Sequence, residues 1–462
     1  RLWGAAKHYQ STGIHRPLYA DAIALSPLNI DKTKLIIVTL DMCTMMPKPY
    51  NELLSKINKI TSIPTKNIIV TFSHTHSAGW LFEPEDHKYP GTEMIPSYLQ
   101  SLYTKVSEAC IQAISNMQEA IITYAEGKCN LACNRDFWDD NINSYVVGFN
   151  PDVPADDTII VARITNKQGK LLATIVNYAC HPTTLAWQNT LISPDFIGAM
   201  RETIEKNTNS PCIFLQGASG DLCPREGYVG DTTIADKNGR QLAYAVLSVL
   251  ESMGPPEMDY QYINMIESGA RLGEWSYVPF TAERKRDTSL FIGGSYVIDL
   301  PMKESLPKPE ELKKQVEYWE KLQKEAIKRG DEKAARDAGA FAERCRRLLS
   351  RLMHLDNLTT YPLNLHIYRF GDAIWIFIEG EIYSLLQTEL RKKFEGQTIL
   401  ISTLAGSWLI GYITPIQMYK KGAYHYQSQV SLAAPGSLEK IIERISYEIM
   451  KLNNTTNILG FT

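Results

Sequence analysis

This sequence is poor in histidine, with nine in 462 residues. It has no surplus of positive charge, since 48 Lys and Arg stand against 51 Asp and Glu. The formal net charge of −3 and pI near 6.4 leave no basic field to hold nucleic acid or an anionic membrane by counterion release. No apolar run reaches the roughly 18 residues that a membrane-spanning helix needs. Internal repeats and low-complexity tracts are also missing. The pattern of a disulfide framework is absent too: eight cysteines are scattered along the chain, most in apolar runs, where a free thiol behaves as a small hydrophobe. Cys129 and Cys133 have a C-x3-C spacing, but no second pair accompanies them to make a structural zinc cluster. The chain opens on Arg1, so an N-terminal stretch is expected to have been removed or left out, which leaves room for a signal peptide and a secreted or periplasmic protein, with the cytoplasm as the alternative.

What is present is ordinary globular composition, 44% hydrophobic and 21% charged, in a chain long enough for a large core. Short Ile- and Val-rich runs alternate with helix-like stretches. The runs at 35–40, 68–72, 159–164, 171–176 and 212–215 read as buried strands, and those at 98–117, 235–253 and 380–394 as helices. Strands without clean alternation predict an α/β fold, with a central mixed sheet flanked by helices. Residues 16–255 form the expected core. After Pro255-Pro256 an antiparallel segment is expected over 256–362. It carries a charged helical hairpin, inserted at 307–353 and turning at Arg329-Gly330-Asp331, whose outer charges read as a solvated surface. Residues 363–462 return to the core.

Two of the nine histidines sit together in Ser73-His74-Thr75-His76-Ser77, directly after the strand IIVTF. H-x-H at the carboxyl end of a strand places two imidazoles where α/β proteins bind ligands, and neutral imidazole is a good zinc ligand. A polar turn is the plain alternative. His181 ends a second strand in Asn177–Thr183. A glycine loop, Gln216–Pro224, follows a third strand and offers Cys223 and Ser219 as candidate nucleophiles. Gly380-Glu381 follows the run IWIFI, where capping of a helix would also explain the glutamate. Tyr412 heads a cluster of tyrosines at 419, 424 and 426, which a packed aromatic cluster would explain.

In this order the segments resemble the neutral ceramidase family. The resemblance rests on Ser73–Ser77, on Asn177–Pro182 (N-x-x-x-H-P), on Gly220-Asp221-Leu222-Cys223-Pro224, on Gly380-Glu381 and on Tyr412-Ile413-Thr414-Pro415. It implies one catalytic Zn2+ held by His74, His181, Glu381 and Tyr412. It also implies a single catalytic domain over 1–462, with His76 moving a proton and Arg135 and Tyr424 stabilising an oxyanion. A zinc-dependent hydrolase cleaving an amide bond of an N-acyl sphingosine-like lipid would follow, with peripheral membrane contact possible for such a substrate. Three features depart from the family. Cys223 stands where its serine nucleophile would be, and could attack, bind the metal, or leave attack to water. Ala78-Gly79-Trp80-Leu81 replaces the glycines that trail its histidine motif. The C-terminal immunoglobulin-like domain is not expected. These departures keep two other readings in view: a zinc hydrolase of the same fold acting on a non-lipid ester, lactone or amide, and an inactive homologue that keeps the metal or ligand site.

Overall fold

The computed structural model describes residues 10–28, 34–79, 81, 91–355, 358–419 and 424–459, with side chains to residue 454. Trp80, one of the residues that depart from the family's trailing glycines, lies outside this set.

The strand Leu35–Leu40 is buried at every position. Successive side chains of a strand point to opposite faces, so such a strand must be covered twice. Ile36, Val38 and Leu40 enter one apolar core, and Leu35 and Ile37 enter another. The same division recurs along Ala373–Ile378, where Ile374, Ile376 and Ile378 face the first core and Trp375 and Phe377 the second. It recurs again in Cys212–Gln216, where Ile213 and Leu215 join that second core and Cys212 and Phe214 a third.

Four layers result. One sheet has the order Cys212–Gln216, Leu171–Tyr178, Thr158–Thr165, Ile121–Lys128. Its outer face carries the helices Phe196–Thr208 and Thr232–Ser252. Its inner face packs on two further sheets. The first is Ala20–Leu25, Leu35–Leu40, Ile68–Phe72; the second is Phe291–Pro301, Thr360–Phe370, Ala373–Ile378, Thr398–Ser402. The helices Pro47–Thr61, Ile95–Ser115 and Ser437–Leu459 cover the far side of these two sheets. The sheets are mixed, as expected, but one central sheet flanked by helices is not what forms. A strand buried on both faces has the same composition whether its second cover is a helix or another sheet.

The charged hairpin pairs the helices Pro309–Arg329 and Glu332–Leu352. Gly330 takes the left-handed φ of 73° that ends the first helix, and the Asp331 side chain caps the second by accepting from Ala334 N. Before the hairpin, Met258–Glu267 and Arg271–Pro279 pair as an antiparallel ribbon. One boundary shifts at a place that matters. The helix expected from Gly380 begins only at Leu385, because Gly380 sits at φ 92° and Glu381–Ile382 forms a short strand parallel to Tyr412–Ile413. No helix among the described residues is long and apolar enough to cross a membrane.

Candidate metal centre

The strands Leu35–Leu40 and Ile68–Phe72 run parallel and end at the same edge. Beyond that edge the ladder continues for two residues, with Ser73 N donating to Leu40 O and His74 N to Met42 O, both at 2.9 Å. His74 then adopts φ 69°, a region that residues with a Cβ seldom occupy and that marks strained functional sites. This turn brings its Nδ1 to 2.6 Å from the Cys43 carbonyl oxygen. A carbonyl only accepts, so Nδ1 carries the proton and Nε2 the lone pair.

His181 is set in the same way from another strand end. It follows Leu171–Tyr178, its backbone N donates to Leu222 O, and its Nδ1 donates to Ser219 O at 3.0 Å. Its Nε2 is therefore also a lone-pair acceptor. Glu381 arrives through the short parallel pair, in direct register with Tyr412. Trp408 Nε1 donates to its Oε1 at 2.7 Å. The other oxygen, Oε2, lies 3.2 Å from His74 Nε2 and 3.6 Å from His181 Nε2.

These three atoms are buried and have no hydrogen-bond partner. Two lone pairs and a carboxylate oxygen aimed at one point repel one another unless a cation lies between them. Two imidazoles and a carboxylate suit zinc, and each ligand's far side is held by a carbonyl or an indole N–H, as metal ligands generally are. The residues present thus fit a metal ion. Burial opposes ionisation of Glu381, yet the polar groups packed around its carboxyl bring its pKa down to about 2. Burial, with Arg135 nearby, pushes the His181 pKa well below its usual value, which keeps the ring neutral. Tyr412 completes the group. Its ring is nearly parallel to that of His181 with centroids 6.4 Å apart, and its hydroxyl accepts from Arg135 Nη2 at 3.2 Å.

The other sequence candidates divide. His76 joins the cluster, its ring 5.0 Å from His74 and 5.4 Å from His181, with Nε2 unpartnered. Arg135 joins it as well, anchored by Nε and Nη2 on Gly220 O. Ser219 contributes the carbonyl that orients His181, while its hydroxyl takes a hydrogen bond from Gln216. Cys223 stands apart. It faces Cys133 across a two-strand pair with the sulfurs 3.8 Å apart, its thiol points to Gly148 O, and it does not line the cavity above the cluster. Interaction with Cys133 lowers the Cys223 pKa against its burial, with help from Arg135. Tyr424 is also outside: it is 39% exposed, and its hydroxyl accepts from Arg344 at 2.9 Å. The tyrosine that reaches the cavity is Tyr426, 6.2 Å from the Tyr412 ring.

The family model for neutral/alkaline non-lysosomal ceramidase, N-terminal, matches residues 1–236. The chain belongs to this family. A solved structure of neutral ceramidase from Pseudomonas aeruginosa superposes with a TM-score of 0.64 at 14% identity, over 98% of this chain and 71% of that one. A second, a ceramidase complexed with C2, superposes with a TM-score of 0.60 at 14% identity, over 96% of this chain and 70% of that one. At such identity the likeness is one of fold. A comparison with curated proteins gives no match. The matched segment carries His74, His76, Arg135, His181 and Cys223, whereas Glu381 and Tyr412 lie beyond it and reach the cluster through the fold.

A cavity of about 210 Å³ opens over the cluster of this ceramidase-family chain. His74, His76, Glu381 and Tyr412 form its floor. Its roof is the second helix of the charged hairpin, which sends in Arg344, Arg347 and Arg351. Sequence reading placed that helix in solvent and missed all three. Their spacing of three and four residues, one helix face, was the available signal. Trp408 and Tyr228 were missed too; each is a single aromatic residue in a stretch without periodic pattern.

Proposed function

We propose that this protein is a zinc-dependent hydrolase of the neutral ceramidase type that cleaves an amide bond. The observation that carries the reading is the convergence of three buried acceptors, His74 Nε2, His181 Nε2 and Glu381 Oε2, with no donor among them. Family membership and the ceramidases of similar fold supply the reaction class.

His74, His181, Glu381 and Tyr412 would hold the ion. Zinc so bound supplies a Lewis acid for the substrate carbonyl and lowers the pKa of water from about 15.7 toward about 7. Arg135, fixed on Gly220 O and already donating to the Tyr412 hydroxyl, is positioned to stabilise negative charge developing on the carbonyl oxygen. Such a donor is worth on the order of 3 kcal/mol in the barrier. Tyr426 takes the second donor role that the resemblance gave to Tyr424, because it is Tyr426 that lines the cavity. His76, neutral and with Nε2 unpartnered, accepts the proton of the attacking group and returns it to the leaving amine. Water attacks, since the Cys223 sulfur is turned toward Cys133 and Gly148 behind the cavity wall.

Turnover of a short-chain N-acyl amide before chelation, after chelation and after zinc is restored tests the reading. Activity lost and regained with the metal is the expected result. Full activity in His74→Ala would overturn it.

A further inference from the structure

We infer that the substrate is an anionic N-acyl compound, an amide carrying a carboxylate or phosphate that the arginines of the cavity receive. This rests on the hydrolytic reading of the same site.

Four arginines line the cavity, Arg135, Arg344, Arg347 and Arg351, against one carboxylate, Glu381. A bound divalent metal would add to the positive excess. Arg351 is fully buried and Arg135 is 3% exposed. The partners that hold three of these guanidinium groups are neutral. Arg135 donates to Gly220 O and the Tyr412 hydroxyl. Arg351 donates to Leu409 O, Ile410 O and Val430 O, an approach that glycine at 411 permits, since a Cβ there would meet the guanidinium at 2.6 Å. Arg344 donates to the Tyr424 hydroxyl and to Gln429 Oε1. Among the described residues no carboxylate pairs with any of the three. Neutral acceptors orient an arginine and leave its charge uncompensated. Taking an unpaired charge out of water costs several kcal/mol, and an arriving anion recovers that cost.

The geometry suits capture of an anion. Arg344, Arg347 and Arg351 lie on one face of a single helix; Arg347 pairs with the buried Glu343 at 2.9 Å, so Arg344 and Arg351 are the charges of the roof held by neutral partners alone. Guanidinium groups match carboxylate and phosphate with paired donors. Burial lowers the Arg351 pKa to about 10, which leaves it charged at neutral pH. Trp187, Tyr228 and Tyr426 supply apolar surface for the rest of the molecule. About 210 Å³ is below the usual range of roughly 300–1,000 Å³ for small-molecule sites, so the part held here is compact. A neutral ceramide would bring nothing to offset these charges.

Matched pairs test the inference on the zinc-loaded full chain. A short-chain N-acylglycine is compared with its N-acylglycinamide, and a short-chain ceramide 1-phosphate with the corresponding ceramide. The charged member of at least one pair should be preferred about tenfold or more in kcat/KM, equivalent to about 1.4 kcal/mol; which pair responds separates an amino-acid carboxylate from a lipid phosphate. Arg344→Gln should cut that preference about tenfold, mainly through KM, and Arg344→Lys should restore part of it. Binding of inorganic phosphate, followed by calorimetry at low salt, should weaken in Arg344→Gln in parallel. Metal-dependent turnover with no preference for charge would overturn the inference and leave the hydrolase reading standing. Phosphate binding that depends on Arg344 without turnover of any amide would overturn the hydrolase reading and, with it, the inferred substrate, leaving an anion site alone. Neither turnover nor phosphate binding would remove both.

Discussion

The floor and the roof of the cavity are built on opposite terms. The floor is made at strand ends, where imidazoles oriented by carbonyl partners meet one carboxylate. The roof is one helix face that delivers Arg344 and Arg351, held by neutral acceptors, beside Arg347, which pairs with Glu343. The floor concentrates acceptors and asks for a cation. The roof concentrates donors and asks for an anion. A polarised bond would lie between them, with its carbonyl turned down and its charged group turned up.

The difference also sets which substitutions should hurt most. On the floor, His74→Ala should lower zinc affinity by more than about 100-fold, because loss of a residue that merely supports a metal ligand already costs about 10–100-fold; titration with a competing chelator measures this. On the roof, Arg351→Leu should leave three carbonyls without their donor and cost at least about 3 kcal/mol of stability, at about 1–3 kcal/mol for each unsatisfied buried group. Denaturant unfolding of the zinc-loaded protein would show it, and an unchanged midpoint would mean that the roof is not anchored as described. Trp408→Phe removes the indole N–H on Glu381 Oε1 while keeping an aromatic ring beside Arg351, so zinc affinity should fall about 10–100-fold, with a smaller change in unfolding midpoint than Arg351→Leu at saturating metal. Cys223→Ala should be the mildest, with turnover within about threefold of the parent. A cost of about 10⁴ or more, the scale seen when a nucleophile is removed, would move the sulfur into the chemistry.

How far the sequence foretells each half follows from the same contrast. His74, His76 and His181 were legible because a scarce residue type followed recognisable apolar strands. Glu381 was legible by position and misread in form: glycine then glutamate after a strand looks like a helix start, and only pairing with Tyr412, 31 residues away, makes it a strand. The buried strands were found while their stacking was not, since burial on two faces does not name the cover. The roof was hidden altogether. Arg344, Arg347 and Arg351 have the composition of a solvated helix, and what sets them apart is the remote chain at Leu409, Ile410, Gln429 and Val430 that receives them. Tyr424 and Tyr426 are two residues apart, a difference that spacing from Tyr412 does not resolve.

Zinc stoichiometry in the purified full chain, measured by elemental analysis beside His181→Ala, bears most directly on the centre of this account. One zinc ion per chain in the parent, lost in the variant while the fold is retained by circular dichroism, is the predicted result. A parent that takes up no zinc when it is supplied, or a variant that holds it as tightly, would contradict it.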